Sequence, residues 1–352
     1  MNEQQPAYLK ALTFPRFVLA ILVVIFHYGL HLDFFKENIL AEFFRNGAVA
    51  VSFFFFLSGF VLAYNYNKTK TRDFLLKRVF RIYPIYILTF VIVLLTQIYF
   101  GLDTPSVFHG VANALGLQSW FPGYALQVNF PSWSISVEFF LYATFPLILW
   151  FYKKMKWNYF VYLSIAIIAL GLLQHFYFVV YLFDPNRYFL EQFILYFPLF
   201  HFSTFVAGFL GGKWIYQIKK AKLNPYLFPV MTTVGIVCFI LILNFENPIR
   251  LLSHNGGLIP FFLLICIGLS LDKNFYIRVF GSRPLIYLGN ISYGVYMWQF
   301  PVYLWFCWIN SIELITTSEF ILYLLILIVW ASISYELIEK PARRIMSRRF
   351  LS

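Results

Sequence analysis

Ten apolar runs of helical length divide the sequence, near residues 12–30, 47–65, 82–100, 133–151, 159–179, 191–211, 226–244, 257–271, 290–309 and 319–338. An α-helix needs about 20 apolar residues to cross roughly 30 Å of hydrocarbon. The pattern therefore predicts an all-α, polytopic membrane bundle of about ten transmembrane helices, organised as one transmembrane domain over residues 1–352. No repeat of fixed period, low-complexity tract or soluble domain interrupts it. The first run has neither a basic segment before it nor a small-residue cleavage site after it, so it reads as a retained helix.

Polar positions inside the runs are the informative ones. Arg16 and His27 both fall within the first run. Eleven steps at about 100° per residue end about 20° past three full turns, so the two side chains share one helix face, roughly 16 Å apart along the axis. Taken singly, Arg16 fits a snorkelling anchor and His27 a hydrogen-bonded interfacial histidine. Together, ionisable groups at that depth point to a functional pathway, because each is costly in hydrocarbon unless it faces a wet cavity or a partner. His31 lies one turn beyond His27, but no third ligand converges on the pair and no metal site is expected.

Composition agrees with a membrane protein: 61% of residues are hydrophobic and 12% charged. The net charge of +12 would suggest a polyanionic partner until the charges are assigned to loops. Alternating the connections puts Lys10, Lys68, Lys70, Arg72, Lys77, Arg78, Arg81, Lys153, Lys154, Lys156, Lys213, Lys219, Lys220, Lys222, Lys273, Arg278, Arg283, Lys340, Arg343, Arg344, Arg348 and Arg349 on one side. Only Lys36, Arg45, Arg187 and Arg250 fall on the other. Such an imbalance is the positive-inside pattern and places both termini in the cytoplasm. The basic balance is thus topological, and no basic-aromatic module outside the apolar runs supports nucleic-acid binding. Cys238, Cys266 and Cys307 lie in apolar runs without metal-ligand spacing and read as buried thiols.

Four further stretches could carry chemistry. Trp133-Ser134-Ile135-Ser136-Val137-Glu138 opens the fourth run, with Ser134 and Glu138 on one face and Glu138 at a depth comparable with His27. A carboxylate there can fix the tautomer of His27 and stabilise its imidazolium, making it a general base; it can equally be a structural partner for another helix. Arg78 and Arg81 share a helical face just before the third run, which suits a phosphorylated ligand as well as lipid headgroups. Glu336 and Glu339 end the last run, where the simplest role for Glu339 is a salt bridge to a neighbouring basic loop. Asn290 to Gln299 can line an interior cavity or simply pack. Phe53 to Leu57 followed by Ser58-Gly59-Phe60 reads as an aromatic wall with a small-residue helix contact. The extracytoplasmic connection from Gly101 to Ser132, with Pro105, Pro122, Gly123 and Pro131, is placed to cover a site.

In this order the segments resemble the acyltransferase-3 family of membrane-bound acyltransferases. The resemblance runs from Arg16 to Arg344. It is carried by Arg16 and His27; by Phe54 to Phe60; by Arg78, Arg81, Tyr83 and Pro84; by Trp133 to Glu138; by Ile291 to Tyr293; and by Glu339 to Pro341. One departure is Gln299, where the family often has histidine; glutamine cannot titrate, which favours His27 as the base. The resemblance implies a single membrane acyltransferase domain in the inner (cytoplasmic) membrane. It would transfer an acyl group, acetyl by default, from cytoplasmic acetyl-CoA to a hydroxyl of an extracytoplasmic polysaccharide, oligosaccharide or glycolipid. It also implies His27, Glu138 and Arg16 as catalytic residues, and Arg78, Arg81 and Arg16 as donor-binding residues. Lipid is the remaining partner, and no metal or nucleic acid is implied. Direct transfer and an acyl-histidine intermediate use the same residues. The rivals are a polysaccharide-precursor transporter or flippase and a noncatalytic scaffold for polysaccharide export.

Overall fold

The computed structural model describes residues 9–66, 70–245 and 249–350. Of the basic positions named above, Lys68 lies outside the described residues, as do the side chains of Arg250, Arg348 and Arg349. Among the described residues all regular structure is helical. The long helices are α1 (Phe14–Tyr28), α2 (Ala50–Asn65), α3 (Thr71–Tyr99), α4 (Trp133–Lys154), α5 (Trp157–Tyr177), α6 (Phe202–Lys220), α7 (Leu227–Leu243), α8 (Ile259–Leu271), α9 (Arg283–Ile309) and α10 (Thr317–Ser334). A π-helical turn, Tyr335–Glu339, joins α10 to α11 (Lys340–Phe350).

Each predicted run is largely helical, but the runs are not all equal to a crossing. Seven helical stretches among the described residues are long and apolar enough to span a bilayer. At 1.5 Å per residue, α7 and α8 reach only about 26 and 20 Å, and α9, 27 residues long, is interrupted by Asn290, Ser292, Gln299 and tyrosines. A multi-pass helical membrane protein follows from the seven alone. It also follows from the outer face: α5 buries only Phe160, Ser164 and His175 and exposes Tyr162, Ile165, Leu170 and Leu173. That is a lipid-facing pattern, since every backbone polar group on such a helix is satisfied internally.

Three boundaries differ from the hydropathy pattern for identifiable reasons. The sixth run is broken. A short helix, Tyr188–Tyr196, ends at Phe197, whose extended backbone (ψ 128°) is what a following proline imposes, and the chain resumes through the 3₁₀ turn Pro198–His201 into α6. Helix α3 starts at Thr71, well before its apolar run, and so includes Arg78 and Arg81 on the helical face expected for them. Lys213, counted above with cytoplasmic loop residues, is within α6 and 1% exposed. Its Nζ donates to the Ala63 carbonyl at 2.6 Å and lies over the Tyr152 ring. A cation at the last carbonyls of α2 is favourably placed against the helix dipole.

The centre of the bundle is the α2–α6 seam. A Cβ on Gly59 would stand 2.2 Å from the Phe205 carbonyl oxygen, and one on Gly208 only 2.0 Å from that of Phe56. Gly208 and Gly212, four apart, let the two backbones touch, as the small-residue reading of Ser58-Gly59-Phe60 expects. Helices α1 and α9 pack on one side of this seam, with Gly289 against Thr13, and α9 is tied to α10 by the Trp298 indole donating to Ser334 Oγ at 2.9 Å. Of the three cysteines only Cys266 is buried; Cys238 and Cys307 are half-buried.

The connection from Gly101 to Ser132 folds back onto the bundle. It contains a helix, Val107–Ala114, and two 3₁₀ turns, Gln118–Trp120 and Phe130–Ser132. Tyr86 of α3 donates to Gln118 Oε1 at 3.2 Å, and Ser119 Oγ to the Trp133 carbonyl at 2.9 Å. Asn129 reaches across to donate to the Met297 carbonyl of α9 at 3.1 Å.

Candidate active site

A cavity of about 370 Å³ opens between α1, α2, α3, α4, α9 and α11. Its walls hold four arginines from three separate parts of the chain: Arg16, Arg78 and Arg81, and Arg343. One carboxylate, Glu138, faces them, with Ser58 and Tyr142 beside it. Phe54, Phe55 and Leu57 of the aromatic run supply an apolar wall, and Asn290, Ser292, Tyr293 and Tyr296 of α9 supply a polar one. The α9 residues are therefore cavity residues as well as packing residues; the three-residue spacing of Asn290, Tyr293 and Tyr296 is the helical stripe that marks them.

The helices hold these groups by local contacts. Arg78 donates from Nη2 to the Tyr66 hydroxyl at 2.8 Å, and its guanidinium lies within 6 Å of the Tyr66, Phe74 and Tyr142 rings (5.4, 5.9 and 5.8 Å). Aromatic faces orient a guanidinium while leaving in-plane donors for a ligand. Its Nε is buried without a partner. Glu138 accepts from Ser58 Oγ at 3.1 Å and from the Tyr142 hydroxyl. Arg16 and Glu138 are within electrostatic reach of each other, as Arg81 is of both Arg16 and Glu339. The cavity is thus an anion-attracting chamber with a single carboxylate on its wall.

His27 stands apart from that lining. Its Nδ1 is 2.7 Å from Gln299 Oε1, and Phe130 of the folded-back loop meets its ring edge-on at 4.7 Å. Gln299 is completely buried, and its Nε2 donates to the Tyr296 carbonyl at 2.8 Å. With the amide nitrogen so engaged, its oxygen faces the imidazole, so the proton belongs on His27 Nδ1. Nε2 then keeps its lone pair, the arrangement a general base needs. Tyr296 also lines the cavity; its hydroxyl, separate from the carbonyl that meets Gln299, donates to the Pro131 carbonyl and accepts from Ser134 Oγ, both at 2.9 Å.

The structure therefore brings Arg16, Arg78, Arg81 and Glu138 together and leaves His27 outside that cavity, paired with Gln299. The hydrogen bond expected between Glu138 and His27 does not form; Gln299 fills that place, and Glu138 is held by Ser58 and Tyr142. Glu339 pairs with Arg343 on its own helical continuation, not with a neighbouring loop. His31 Nε2 lies 2.7 Å from the Ile315 carbonyl. Sequence reasoning missed Arg343 and Ser58 as cavity residues and Tyr142 as a partner of Glu138. Only Tyr142 had a signal, its spacing of four from Glu138.

Fold and cavity define a multi-pass helical membrane protein built around a cationic chamber. The sequence pattern of the acyltransferase-3 family, described as an acyltransferase domain, matches residues 9–336, and the chain belongs to that family. Among curated proteins it is similar to the peptidoglycan O-acetyltransferase OatA of Listeria monocytogenes, 25% identical over 328 residues and 85% of this chain. It is also similar to the O-acetyltransferase OatA of Staphylococcus aureus, 22% identical over 374 aligned positions and 96% of this chain. Acyltransferase MdmB of Streptomyces mycarofaciens is 44% identical over 110 residues, 29% of this chain and 28% of that protein. The chain spans about half the length of the two OatA proteins, 52% and 58%. No solved structure matches it.

Proposed function

We propose that this protein transfers an acetyl group from acetyl-CoA, taken from the cytoplasm, to a hydroxyl of an extracytoplasmic polysaccharide, oligosaccharide or glycolipid. The carrying observation is the convergence of Arg16, Arg78 and Arg81 on one cavity, with His27 three turns along the helix that carries Arg16. Guanidinium forks suit the phosphates of a nucleotide thioester, and the hydroxyl-rich and aromatic remainder suits its pantetheine arm. The similarity to a peptidoglycan O-acetyltransferase over most of the chain supports acetyl as the group and a surface glycan as the acceptor class.

In this reading His27 Nε2 takes the proton of the acceptor hydroxyl as its oxygen attacks the thioester carbonyl. The C–S bond then breaks, and the thiolate takes up the proton, leaving an O-acetyl ester and free CoA. Gln299 holds the base in the Nδ1–H tautomer. Arg16, which lines the same cavity as Arg78 and Arg81 and shares its helix with His27, draws the anionic carrier inward, and Glu138 orients Ser58 and Tyr142 at the cavity wall. The topology belongs to the same proposal: about ten helices in the cytoplasmic membrane, among them the seven stretches long enough to cross it, with both termini inside. It is supported by the distribution of Lys and Arg and by the position of Arg78 and Arg81 near the basic start of α3.

The test uses full-length protein in nanodiscs and the host strain together. Acetyl-CoA should be cleaved to free thiol in the presence of glycan acceptor, and deletion of the gene should lower O-acetyl content of the surface polysaccharide, measured by proton NMR. Unchanged acetylation in the deletion strain with no thiol release would reject acyl transfer and favour a transporter.

A further inference from the structure

Arg343 reaches the cavity from a part of the chain that the mechanism above leaves undefined. It lies in the first turn of α11, four residues after Glu339, which closes the π-helical turn Tyr335–Glu339. Arg343 Nη2 donates to Glu339 Oε2 at 3.0 Å; the Glu339 side chain is 0% exposed, whereas that of Arg343 keeps 34%. The guanidinium also lies 5.7 Å from the Tyr335 ring centroid. A π-turn carries one residue more than an α-turn, so it rotates the following helix by about 100° relative to uninterrupted α-helix. That phase shift sets which face of α11 meets the cavity.

The pairing is incomplete on both sides. Glu339 Oε1 and Arg343 Nε are both buried without a hydrogen-bond partner. A pair whose only task was to clamp a helix would be expected to satisfy those atoms, because a buried ion pair repays its desolvation only when the remaining donors and acceptors are also matched. A guanidinium has five N–H donors in a planar fork, and Glu339 engages the group through Nη2 alone. Arg16 and Arg81, which share the cavity with Arg343, are the next cations around Glu339.

Resting on the donor-site reading above, we propose that Arg343 is a further phosphate-binding residue of that site and Glu339 its positioning residue. The carboxylate holds the guanidinium plane at the cavity wall and balances the arginine cluster when no ligand is present. The remaining N–H donors then take oxygens of a nucleotide-type phosphate or pyrophosphate.

The proposal is tested by isothermal titration of coenzyme A, and of inorganic pyrophosphate as the phosphate-only probe, into full-length protein in nanodiscs. The double variant Glu339→Gln/Arg343→Met removes both charges at similar volume and leaves no lone buried carboxylate. It should bind coenzyme A about tenfold more weakly and show a shallower dependence of affinity on salt. Arg343→Lys keeps a cation for Glu339, and so the fold, but loses the planar fork. It should recover only part of the affinity, whereas a mere helix clamp would be fully rescued by it. Arg78→Ala/Arg81→Ala serves as the reference. Weakened binding in the reference with wild-type affinity in the folded double variant, or in Arg343→Lys, overturns the role of Arg343 alone. Wild-type affinity in the reference as well overturns the donor-site reading and this proposal with it.

Discussion

The two ends of helix α1 meet opposite environments. At the Arg16 end, charge is concentrated: four arginines and a carboxylate surround an open cavity, and no one contact dominates. At the His27 end the charge is gone, and a single imidazole is held by one amide and the edge of a phenyl ring. The first end is built to attract and hold an anion through summed electrostatics, which tolerates the loss of a member. The second is built to orient one ring, which does not. Eleven residues of continuous helix keep the two in fixed relation, so in the proposed mechanism a carrier anchored at one end presents its reactive group toward the other.

The contrast predicts graded responses to substitution. The largest should follow His27→Ala: O-acetyl transfer should fall by about 10²- to 10⁴-fold, the range for a lost general base, with membrane abundance and coenzyme A affinity retained. Activity within a few-fold of wild type in equally abundant protein would remove His27 from the chemistry. Gln299→Leu comes next. It removes the acceptor for Nδ1–H and should lower kcat by about tenfold to a hundredfold, corresponding to the roughly 1–3 kcal/mol of a buried hydrogen bond left unmade. KM for the donor should stay near wild type; a pure KM effect would mean that Gln299 only shapes the cavity.

Arg78→Ala/Arg81→Ala should show the reverse split, raising KM for acetyl-CoA about tenfold or more while leaving kcat nearly unchanged. An unchanged KM would leave these arginines as topology signals alone. Glu138→Gln should have the smallest effect, a few-fold change in KM, because glutamine still accepts from Ser58 and Tyr142 and only the cavity's charge changes. A loss as large as that of Gln299→Leu would instead restore Glu138 as the functional partner of His27, through a rearrangement that brings the two together.

Much of this arrangement was legible before any coordinates. Each apolar run is helical over most of its length, because a backbone in hydrocarbon must satisfy its own hydrogen bonds and a helix does so within one segment. Arg78 and Arg81 share one helix face, as their three-residue spacing suggested, but the cavity that face shares with Arg16 is a finding of the structure alone. The Ser58-Gly59-Phe60 contact is also where its small residue implied, against Phe205 of α6. The break at Pro198 was written in the sequence too, but average hydropathy smooths over a single residue that changes only ψ of its predecessor.

The amino-acid sequence by itself determined most of the helices, their membrane setting, the family, and Arg16, His27 and Glu138 as ionisable residues set within apolar runs. These follow from local rules of length, apolarity, spacing and motif order. Only the tertiary structure decided which of those residues meet. Gln299 takes the place at His27 that spacing and depth had suggested for Glu138, across 272 positions of chain. Arg343 enters the cavity from the far end of the sequence by way of a π-turn. Depth along a helix can be counted from residue numbers, but the rotation of one helix against another is set by side-chain packing such as the α2–α6 glycine seam. That rotation chooses each side chain's partner.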